Sequence, residues 1–331
     1  MNLNFTKMQA LGNDFVLIDS RKKRLKNISR LSKALCDRRF GIGADQMLLL
    51  NESTKADFKM RIFNADGSEV EMCGNGIRCF AKYIWDNKLM VRQAHHPEQS
   101  RGKNHGSAGL PTGQAGSLLE IETLAGIIRP QKSGNNIKVD MGEPVLEPRK
   151  IPVRINTEVT KLRSSEAKKS QPLNLSTSQL PGSLRSVNFV PIVNYPIVIG
   201  GMTFKITCVS MGNPHAVIVV NDVKKVPLEK YGPVIEKHRL FPKRTNVEFI
   251  QVEDSKKIKM RVWERGAGET MACGTGASAA VVASSLLGLT GRKAAVYLPG
   301  GRLLIEWSAK NGHVYMTGPA TTVFEGSIEI K

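Results

Sequence analysis

The feature that most constrains this chain is a repeat of its own sequence at an offset of 200 positions. Three separate stretches recur in the same register. Residues 58–63 (FKMRIF) match 258–263 (IKMRVW), 69–76 (ExxxCGxG) match 269–276, and 11–13 (LGN) match 211–213 (MGN). Chance seldom produces three matches in one register. They predict two homologous lobes that arose by duplication rather than a solenoid, which needs at least three short repeats.

Each lobe has the same predicted order of elements. A strand at 59–64, and again at 259–264, runs into a glycine-rich turn and then into Cys-Gly-x-Gly. Helical apolar spacing follows at Ile77, Phe80, Ala81 and Ile84, and at Ala277, Ala280, Val281 and Leu286. Further strands are predicted at 15–19, 47–50, 118–123, 137–141, 216–220, 247–251, 302–307 and 314–317. Many strands and few helices favour an α+β fold, with a sheet wrapped around or packed on a central helix in each lobe.

The net charge of +19 raises the possibility of a nucleic-acid partner. The basic residues are spread over a run at 21–26, a segment at 149–169 and scattered positions, without the interleaved aromatic residues on which bases stack. We therefore expect a solvated basic surface and no nucleic-acid partner. Five cysteines make no disulfide framework and no stretch is apolar enough to span a membrane, so a reducing, cytoplasmic setting without a membrane partner is expected.

Two stretches, 93–117 and 154–187, are rich in small and polar residues and are predicted to be surface insertions. His95, His96 and His105 lie in the first of them. Their spacing matches no zinc site, and no cysteine lies nearby to complete one. The sequence therefore predicts no metal site.

Cys73 and Cys273 each stand where a helix is predicted to begin. Free amide groups and the helix dipole at such a position favour the thiolate and lower its pKa from about 8.5. If the lobes face each other, the duplication places the two thiols on opposite sides of one cleft. One thiolate can then remove an α-proton from one face of a carbon while the other thiol protonates the opposite face. The neighbouring glycines would let backbone amides bind the charge that develops.

Other interpretations of the cysteines stay open. Cys73 and Cys273 could form a structural disulfide, although a reducing setting disfavours one. They could be a redox pair, although neither belongs to a Cys-x-x-Cys motif. Cys79, on the same predicted helix as Cys73, is expected in the core, as are Cys36 and Cys208.

Short motifs spread over nearly the whole chain, in a fixed order, carry a family resemblance. They are GNDF at 12–15, GIGADQ at 41–46, FNADGS at 63–68, MCGNGIRC at 72–79, MGNPH at 211–215, TNV at 245–247, ERGAGET at 264–270, ACGTG at 272–276, LPGG at 298–301 and YMTGP at 315–319. The chain resembles the diaminopimelate epimerases, two-cysteine epimerases that work without pyridoxal phosphate. The resemblance implies an α+β fold of two pseudo-symmetric lobes, each a barrel-like, mostly antiparallel sheet around a central helix. We expect the lobes to span 1–140, with a C-terminal strand at 319–331, and 141–318.

The resemblance implies conversion of LL-2,6-diaminopimelate to the meso isomer by a homodimer that uses no cofactor and no metal. It implies that Cys73 is the base for the LL isomer and Cys273 the partner acid, with His215 close to both thiols. The other implied contacts are Gly74, Asn75, Gly274 and Thr275 for the reacting α-carboxylate; Asn64, Asn213, Asn246 and Arg265 for the distal carboxylate; Glu264 for the distal ammonium; and Asn13 and Gln46 near the reacting end.

Several rival interpretations remain. Proline and hydroxyproline racemases share Cys-Gly-x-Gly but typically have His where this chain has Asn75, and they need no partner for a distal ammonium. Phenazine-biosynthesis isomerases lack the paired cysteines, and a basic nucleic-acid-binding protein is the alternative from another class. Glu264 and Arg265 could form an ordinary surface ion pair, and Asn13 or Asn246 could satisfy a turn backbone. The two predicted insertions exceed what the family usually carries.

Overall fold

The computed structural model describes residues 2–90, 118–154 and 189–330. The predicted insertion at 93–117, with its three histidines, lies outside the described residues, as does all of the one at 154–187 except Arg154. The described parts form two large sheets with four α-helices. This arrangement confirms the predicted α+β class.

The first sheet has eight strands. They are β1 (Asn2–Ala10), β2 (Asn13–Asp19), β3 (Gln46–Asn51), β4 (Phe58–Asn64), β5 (Glu69–Val70), β6 (Ile121–Thr123), β7 (Gly126–Ile128) and β19 (Thr321–Glu329). Their order is β19-β1-β2-β3-β4-β6-β7, with β5 paired to β4. The β2–β3 and β4–β6 pairs are parallel, and the other pairs are antiparallel.

The second sheet has eleven strands. They are β8 (Gln131–Ser133), β9 (Asn136–Asp140), β10 (Tyr195–Ile199), β11 (Met202–Ser210), β12 (Pro214–Val219), β13 (Asn246–Asp254), β14 (Lys257–Glu264), β15 (Gly268–Thr270), β16 (Lys293–Leu298), β17 (Gly301–Trp307) and β18 (Val314–Gly318). Their order is β10-β11-β12-β13-β14-β16-β17-β18-β9-β8, with β15 paired to β14. The order of β1 to β7 is thus repeated in β11 to β17, which confirms two pseudo-symmetric lobes.

The repeat extends to strand register and to side-chain contacts. The parallel pairs β2–β3 and β4–β6 recur as the parallel pairs β12–β13 and β14–β16. Phe15 lies opposite Gln46 in the first sheet, and His215 lies opposite Asn246 in the second. The ion pair between Arg61 and Glu69, 2.7 Å long, returns between residues 261 and 269 at 2.8 Å. Equivalent positions therefore differ by 200 in the structure as they do in the sequence.

One helix in each lobe is surrounded by sheet, and these are the two helices that the sequence predicts. They are α2 (Gly74–Asp86) and α4 (Gly274–Leu286). Every apolar position that defined the predicted helices is buried. α4 consists mainly of alanine, valine and serine and is buried on nearly all sides, because strands β11 to β14 and β16 to β18 pack around it. A helix that is apolar all round belongs inside a core.

Two further helices cover the outer faces of the sheets, and the sequence did not predict them. They are α1 (Ile28–Cys36), which packs on β3 and β4, and α3 (Leu228–Glu236), which packs on β13 and β14. α1 starts at Asn27 without a side-chain cap, and α3 follows Pro227 and contains Pro233. Neither start has a side-chain cap hydrogen bond, so packing on the sheets supplies much of their stability.

The chain crosses between the sheets twice. Its last strand, β19, runs antiparallel to β1 and completes the first sheet, where the C-terminal strand was expected. The first crossing falls between β7 and β8, because β9 pairs with β18 of the second sheet. The expected lobe limit at residue 140 therefore lies after this crossing, at the end of β9.

Candidate active site

Cys73 and Cys273 occupy the same structural position in the two lobes. Each is the residue immediately before a central helix, α2 or α4, and has an extended backbone conformation. Each sulfur accepts a hydrogen bond of 3.4 Å from an amide in the first helical turn, that of Gly76 or Gly276. All five cysteines of the chain are free, so a disulfide between this pair is absent. Cys36, Cys79 and Cys208 are buried, as the sequence predicts.

The starts of the two central helices meet where the lobes join. A Cβ atom added to Gly74 would lie 3.0 Å from Cε of Met316, and one added to Gly274 would lie 2.8 Å from the Met316 sulfur. One side chain therefore touches both helix starts. The Asn75 amide also crosses between lobes, because it donates to the carbonyl of Ala272, the residue before Cys273 (3.2 Å). The two cysteines thus belong to one site rather than to two separate ones.

Burial governs the acidity of both thiols. It raises the pKa of Cys73 to about 11, against the lowering effect of the Gly76 amide. It also raises the pKa of Cys273 well above its ordinary value, and nearby Glu264 and Glu248 add to this effect. The expectation that the helix starts make these thiols acidic is therefore wrong for this arrangement. One amide bond and the helix dipole stabilise the thiolate by less than its transfer out of water costs.

The amide side chains near Cys73 form a connected group. The Cys73 sulfur lies 3.8 Å from Oδ1 of Asn13, and the Asn75 amide donates to that same oxygen (3.2 Å). Asn13 in turn donates to Asp45 (2.7 Å), and the fully buried Arg78 donates to Oδ1 of Asn75 (2.8 Å). The sequence placed Asn13 and Asn75 at the reacting end, and the structure brings both to Cys73.

Gln46 and Asn64 form a second group at the same edge of the first sheet. They start β3 and end β4 and lie opposite each other, and the Gln46 amide donates to Oδ1 of Asn64 (2.8 Å). Asn64 donates to Ser68 (3.0 Å). The Oε1 atom of Gln46 is buried and has no hydrogen-bond partner among the described residues. The structure thus brings Gln46 together with Asn64, which the sequence had assigned to the opposite end of the substrate.

A continuous chain of polar groups leads to Cys273. Thr275 Oγ1 lies 3.4 Å from the Cys273 sulfur and accepts from the Asn213 amide (3.3 Å). Asn213 Oδ1 lies 2.9 Å from Nε2 of His215, and Nδ1 of His215 lies 2.6 Å from Oε1 of Glu248. The side chains of His215 and Glu248 are fully buried. His215 is close to a thiol as expected, but two residues intervene.

Glu264 and Arg265 separate at the end of β14. Glu264 is the last residue of the strand; its carboxylate accepts from the Thr270 hydroxyl and lies within hydrogen-bonding reach of Cys273. Burial raises its pKa. Arg265 begins the following turn, is exposed, and donates through its guanidinium to the carbonyl of Lys243 (3.2 Å). Neither forms an ion pair with a described residue, which argues against an ordinary surface ion pair.

Asn246 fixes the turn that carries Arg265. Its side-chain oxygen accepts from the backbone amide of Arg265 (2.9 Å), and its amide donates to the carbonyl of Pro214 (3.0 Å). Asn246 is buried. The structure therefore shows the alternative role, in which Asn246 hydrogen-bonds the backbone of a turn. The same contacts place Asn246 beside Arg265, the residue expected to bind the distal carboxylate.

Sequence reasoning missed three residues of this site: Arg78, Glu248 and Met316. Arg78 lies inside the MCGNGIRC motif, and its position on the apolar face of a predicted helix was a usable signal. Glu248 stands between Val247 and Phe249 in a predicted strand, where a carboxylate facing the core needs a partner. Met316 lies inside the YMTGP motif and a predicted strand, but its contact with both helix starts depends on how the lobes meet.

No helix in 2–90, 118–154 or 189–330 is long and apolar enough to cross a membrane. Within the same ranges, no three histidine, cysteine or acidic side chains gather closely enough to hold a metal ion.

A family model described as diaminopimelate epimerase matches residues 5–147 and 207–323. A protein of Methanococcus maripaludis (strain C5) with that name is 44% identical over 333 residues, which cover 99% of this chain and 100% of the relative. This chain belongs to the diaminopimelate epimerase family. Diaminopimelate epimerases of Acetivibrio thermocellus and Carboxydothermus hydrogenoformans are 45% and 46% identical, with 99% and 98% of each pair of chains covered.

The family model leaves residues 148–206 unmatched, and this range contains the stretch at 154–187. The expectation that 93–117 and 154–187 exceed what the family usually carries stays a prediction.

Solved structures of other groups share the fold. A PhzF-family phenazine biosynthesis protein of Bacillus anthracis has a TM-score of 0.60 at 15% identity, with all of both chains covered. A probable proline racemase of Agrobacterium radiobacter K84 has a TM-score of 0.61 at 13% identity, covering 99% of this chain and 93% of that one. At such identities the likeness shows the fold alone.

Proposed function

We propose that this protein interconverts LL-2,6-diaminopimelate and meso-diaminopimelate by moving a proton at the α-carbon between two cysteines. The observation that carries the proposal is the pair of cysteines at two helix starts that share contact with Met316. Membership of the diaminopimelate epimerase family supplies the substrate. The reaction is an isomerisation that we propose needs neither pyridoxal phosphate nor a metal, because the two thiols can act as acid and base.

The proton transfer would use the thiols in turn. In the LL direction the thiolate of Cys73 takes the α-proton and the thiol of Cys273 delivers one to the opposite face, and the reverse reaction exchanges these roles. Since burial raises the pKa of both thiols, one of them must lose its proton before the first transfer, and each transfer then leaves one thiolate and one thiol with their roles exchanged. Glu264 can accept the proton of Cys273, because its carboxylate lies beside that thiol and burial raises its own pKa; this step prepares Cys273 as the base of the meso-to-LL direction.

The substrate's α-carboxylate would bind at the helix starts. Backbone amides of Gly74 and Asn75 in one lobe and of Gly274 and Thr275 in the other belong to first helical turns, where free N–H groups attract anions. As the α-carbon loses its proton, negative charge spreads onto this carboxylate. Amides from two helices would stabilise that charge without reorganising.

The distal end of the substrate would be recognised by the turn after β14. The exposed guanidinium of Arg265 has the fork geometry that binds a carboxylate through two hydrogen bonds. We propose that Asn64, Asn213 and Asn246 assist it, and that Gln46 and Asn13 line the path to the thiols. Glu264 would serve the distal ammonium only when its carboxylate is ionised.

An exchange experiment tests the proposal. Purified protein in D2O, under reducing conditions and without added pyridoxal phosphate, is expected to place deuterium at the α-carbon of LL-diaminopimelate. Cys73→Ala and Cys273→Ala should each abolish epimerisation. Cys79→Ala and Cys208→Ala are the matched controls, since both remove a buried thiol outside the helix starts, and both should retain exchange. Lack of exchange in the wild type, or normal epimerisation by Cys73→Ala, would contradict the proposal.

The cellular setting is also a proposal. We propose a cytoplasmic homodimer that supplies meso-diaminopimelate for lysine synthesis and for cell-wall peptide. Support for an intersubunit contact comes from β19, the end strand of the first sheet, where Val323 and Phe324 are exposed. Free cysteines agree with a reducing compartment.

A further inference from the structure

Cys273 is connected to a buried histidine–carboxylate pair, and Cys73 is not. The chain from Glu248 through His215, Asn213 and Thr275 ends at the Cys273 sulfur, and no step in it exceeds 3.4 Å. At the equivalent positions of the first lobe, 200 residues earlier, stand Phe15 and Leu48 instead of the histidine and the carboxylate. Both are fully buried apolar residues.

The same contrast appears beneath the two helix starts. A Cβ atom added to Gly276 would lie 2.8 Å from Oε1 of Glu248, whereas one added to Gly76 would first meet Leu48, at 3.3 Å. The duplication has therefore kept the two thiols and placed a buried histidine–carboxylate pair beneath only one of them. This asymmetry needs a chemical reason, because an ionisable pair with no exposed surface is costly to bury.

The orientation of the Asn213 amide defines one pattern of protons in the chain. Asn213 donates its amide to Thr275, so its oxygen faces Nε2 of His215, which must then carry a proton. A second proton lies between Nδ1 of His215 and Glu248. In this pattern the histidine–carboxylate pair has no net charge. The Thr275 hydroxyl accepts from Asn213 and is free to donate to Cys273, which favours the thiolate.

A half-turn of the Asn213 amide gives the alternative pattern. Its NH2 group then donates to an unprotonated Nε2 of His215, and its oxygen accepts the hydroxyl proton of Thr275. The threonine oxygen can now only accept, which favours a proton on the Cys273 sulfur. The two patterns hold the same number of protons: one has lost a proton from Nε2 and gained one on sulfur. The thiolate is thus linked to the protonated histidine.

We infer that Glu248 is a positioning residue that holds a proton on His215 and, through the hydrogen-bond chain, favours the thiolate of Cys273. The inference rests on the proposed two-thiol function and deepens it. It gives the two equivalent thiols different proton affinities, and the difference is set by a residue that touches neither the thiols nor the substrate.

Direct electrostatics from Glu248 would have the opposite effect. Three titratable groups face the pair: Cys273, Glu264 on β14 and Cys208 on β11. A negative charge on Glu248 acts through space to raise the pKa of Cys273. Glu248→Gln would therefore lower the pKa of Cys273 if charge alone mattered. The hydrogen-bond chain predicts a rise, because an uncharged partner no longer stabilises the protonated histidine.

The test is the pH dependence of alkylation by iodoacetamide, followed for each cysteine by peptide mass spectrometry. In Glu248→Gln, the alkylation midpoint of Cys273 should move up by about one pH unit, roughly a tenfold lower rate below the midpoint. Cys73 in the same molecule is the internal reference and should move much less. A Cys273 midpoint that falls or stays unchanged would overturn the inference. No substrate is used, so failure of the proposed reaction would be seen separately in the exchange experiment.

Asn213→Ala provides a second test that alters no charge and lies at a less buried position. It breaks the chain between the histidine and Thr275, so it should also raise the Cys273 midpoint. Adding Glu248→Gln to Asn213→Ala should then lower it, since only the through-space effect remains. The control is Glu236→Gln, which changes another buried carboxylate of the same lobe, bonded to Trp263. An equal upward shift in this control would also overturn the inference, because the effect would then reflect loss of packing.

Discussion

Two partly exposed carboxylates of this protein, Asp14 and Glu264, show how neighbouring residues decide the effect of burial on a single group. Burial acts to raise the pKa of both. At Asp14 the hydrogen bonds from Arg38 and Lys7 outweigh it and lower the pKa from 3.8 to about 2. At Glu264 the nearest donors are hydroxyl and thiol groups, and burial prevails. One carboxylate is therefore held ionised to low pH, whereas the pKa of the other is raised above its ordinary value.

The low pKa of Asp14 predicts a pH-dependent contribution to stability. A carboxylate with a lowered pKa stabilises the folded state above its unfolded pKa and loses that contribution as pH falls through its folded pKa. We expect Asp14→Asn to lower the free energy of unfolding by about 1–2 kcal/mol at pH 7, discounted because Arg38 is largely exposed. The difference from wild type should shrink progressively below about pH 5 and be mostly lost at about pH 2.

Urea unfolding at pH 7 and at several values below pH 4 measures this difference. Asp86→Asn is the matched control, since Asp86 pairs with Lys82 on an exposed helix face. It should change stability by well under 1 kcal/mol. A difference for Asp14→Asn that persists at pH 2 would contradict the linkage.

At this scale the sequence predicted which residues gather, but not their chemical state. The motifs predicted that Cys73 and Cys273 stand at helix starts, as the structure has them, because the helix-start pattern is local in the chain. The pKa of each thiol is raised by burial, and the extent of burial depends on how completely the two lobes cover each other. The residues next to each cysteine in the sequence do not carry this information. Glu248 was missed because its partner, His215, lies on another strand.

The central helices α2 and α4 are equivalent in the two lobes, but different side chains pack against them. Gly76 and Gly276 occupy the same position in α2 and α4, yet an added Cβ meets the flexible Leu48 in one lobe and the bonded Glu248 in the other. Replacing glycine by alanine inside a helix favours folding by about 1 kcal/mol. The steric cost must therefore decide the outcome in each lobe.

We predict that Gly276→Ala lowers kcat/KM for epimerisation at least tenfold more than Gly76→Ala. Its new methyl group displaces a carboxylate that holds His215, whereas a leucine can shift by a few tenths of an ångström. Steady-state kinetics in both directions, with thermal unfolding of each variant, separate activity from stability. Gly291→Ala is the control, because its added Cβ would meet only one atom, at 3.9 Å. Equal losses in the two lobes would contradict the prediction.

The helices also show which secondary-structure elements can be predicted from local sequence and which cannot. α2 and α4 were predicted because apolar spacing and the Cys-Gly-x-Gly turn agree with their tertiary role. α1 and α3 were missed because their starts lack side-chain caps, and Pro233 lies within α3. Contact with the outer faces of the sheets stabilises them, and that information is not local in sequence.

At the scale of the whole molecule, the proposed homodimer predicts an interface at the outer edge of the first sheet. Val323 on β19 is 53% exposed, beside an edge that is unpaired among the described strands. We expect a species of twice 36.4 kDa in sedimentation equilibrium, and Val323→Asp should shift it toward monomer, because a charge at an apolar interface is costly. Val198→Asp, on the end strand β10 of the second sheet and 66% exposed, is the matched control. A wild-type monomer at micromolar concentration would contradict the proposal.

The two-lobed architecture was predictable because the duplication left a register that survives in the sequence. The place where the chain crosses between the sheets was not predictable, since β9 joins the second sheet by pairing with β18, far along the chain, and β8 pairs with β9. The meeting of the two helix starts around Met316 was likewise beyond local pattern. The sequence repeat predicts two lobes with two equivalent thiols, but it does not predict how the two thiols are oriented toward each other.

The pairing of the first strand with the last has a consequence for synthesis on the ribosome. β19 is the last strand to emerge, so β1 waits for nearly the whole chain before its outer neighbour arrives. The strands of the second sheet end at Gly318 and are all available earlier. The N-terminal lobe therefore cannot be completed until the described strands of the C-terminal lobe have also been made. For most of translation the nascent N-terminal sheet keeps a bare edge, which is when pairing with neighbouring chains is most hazardous.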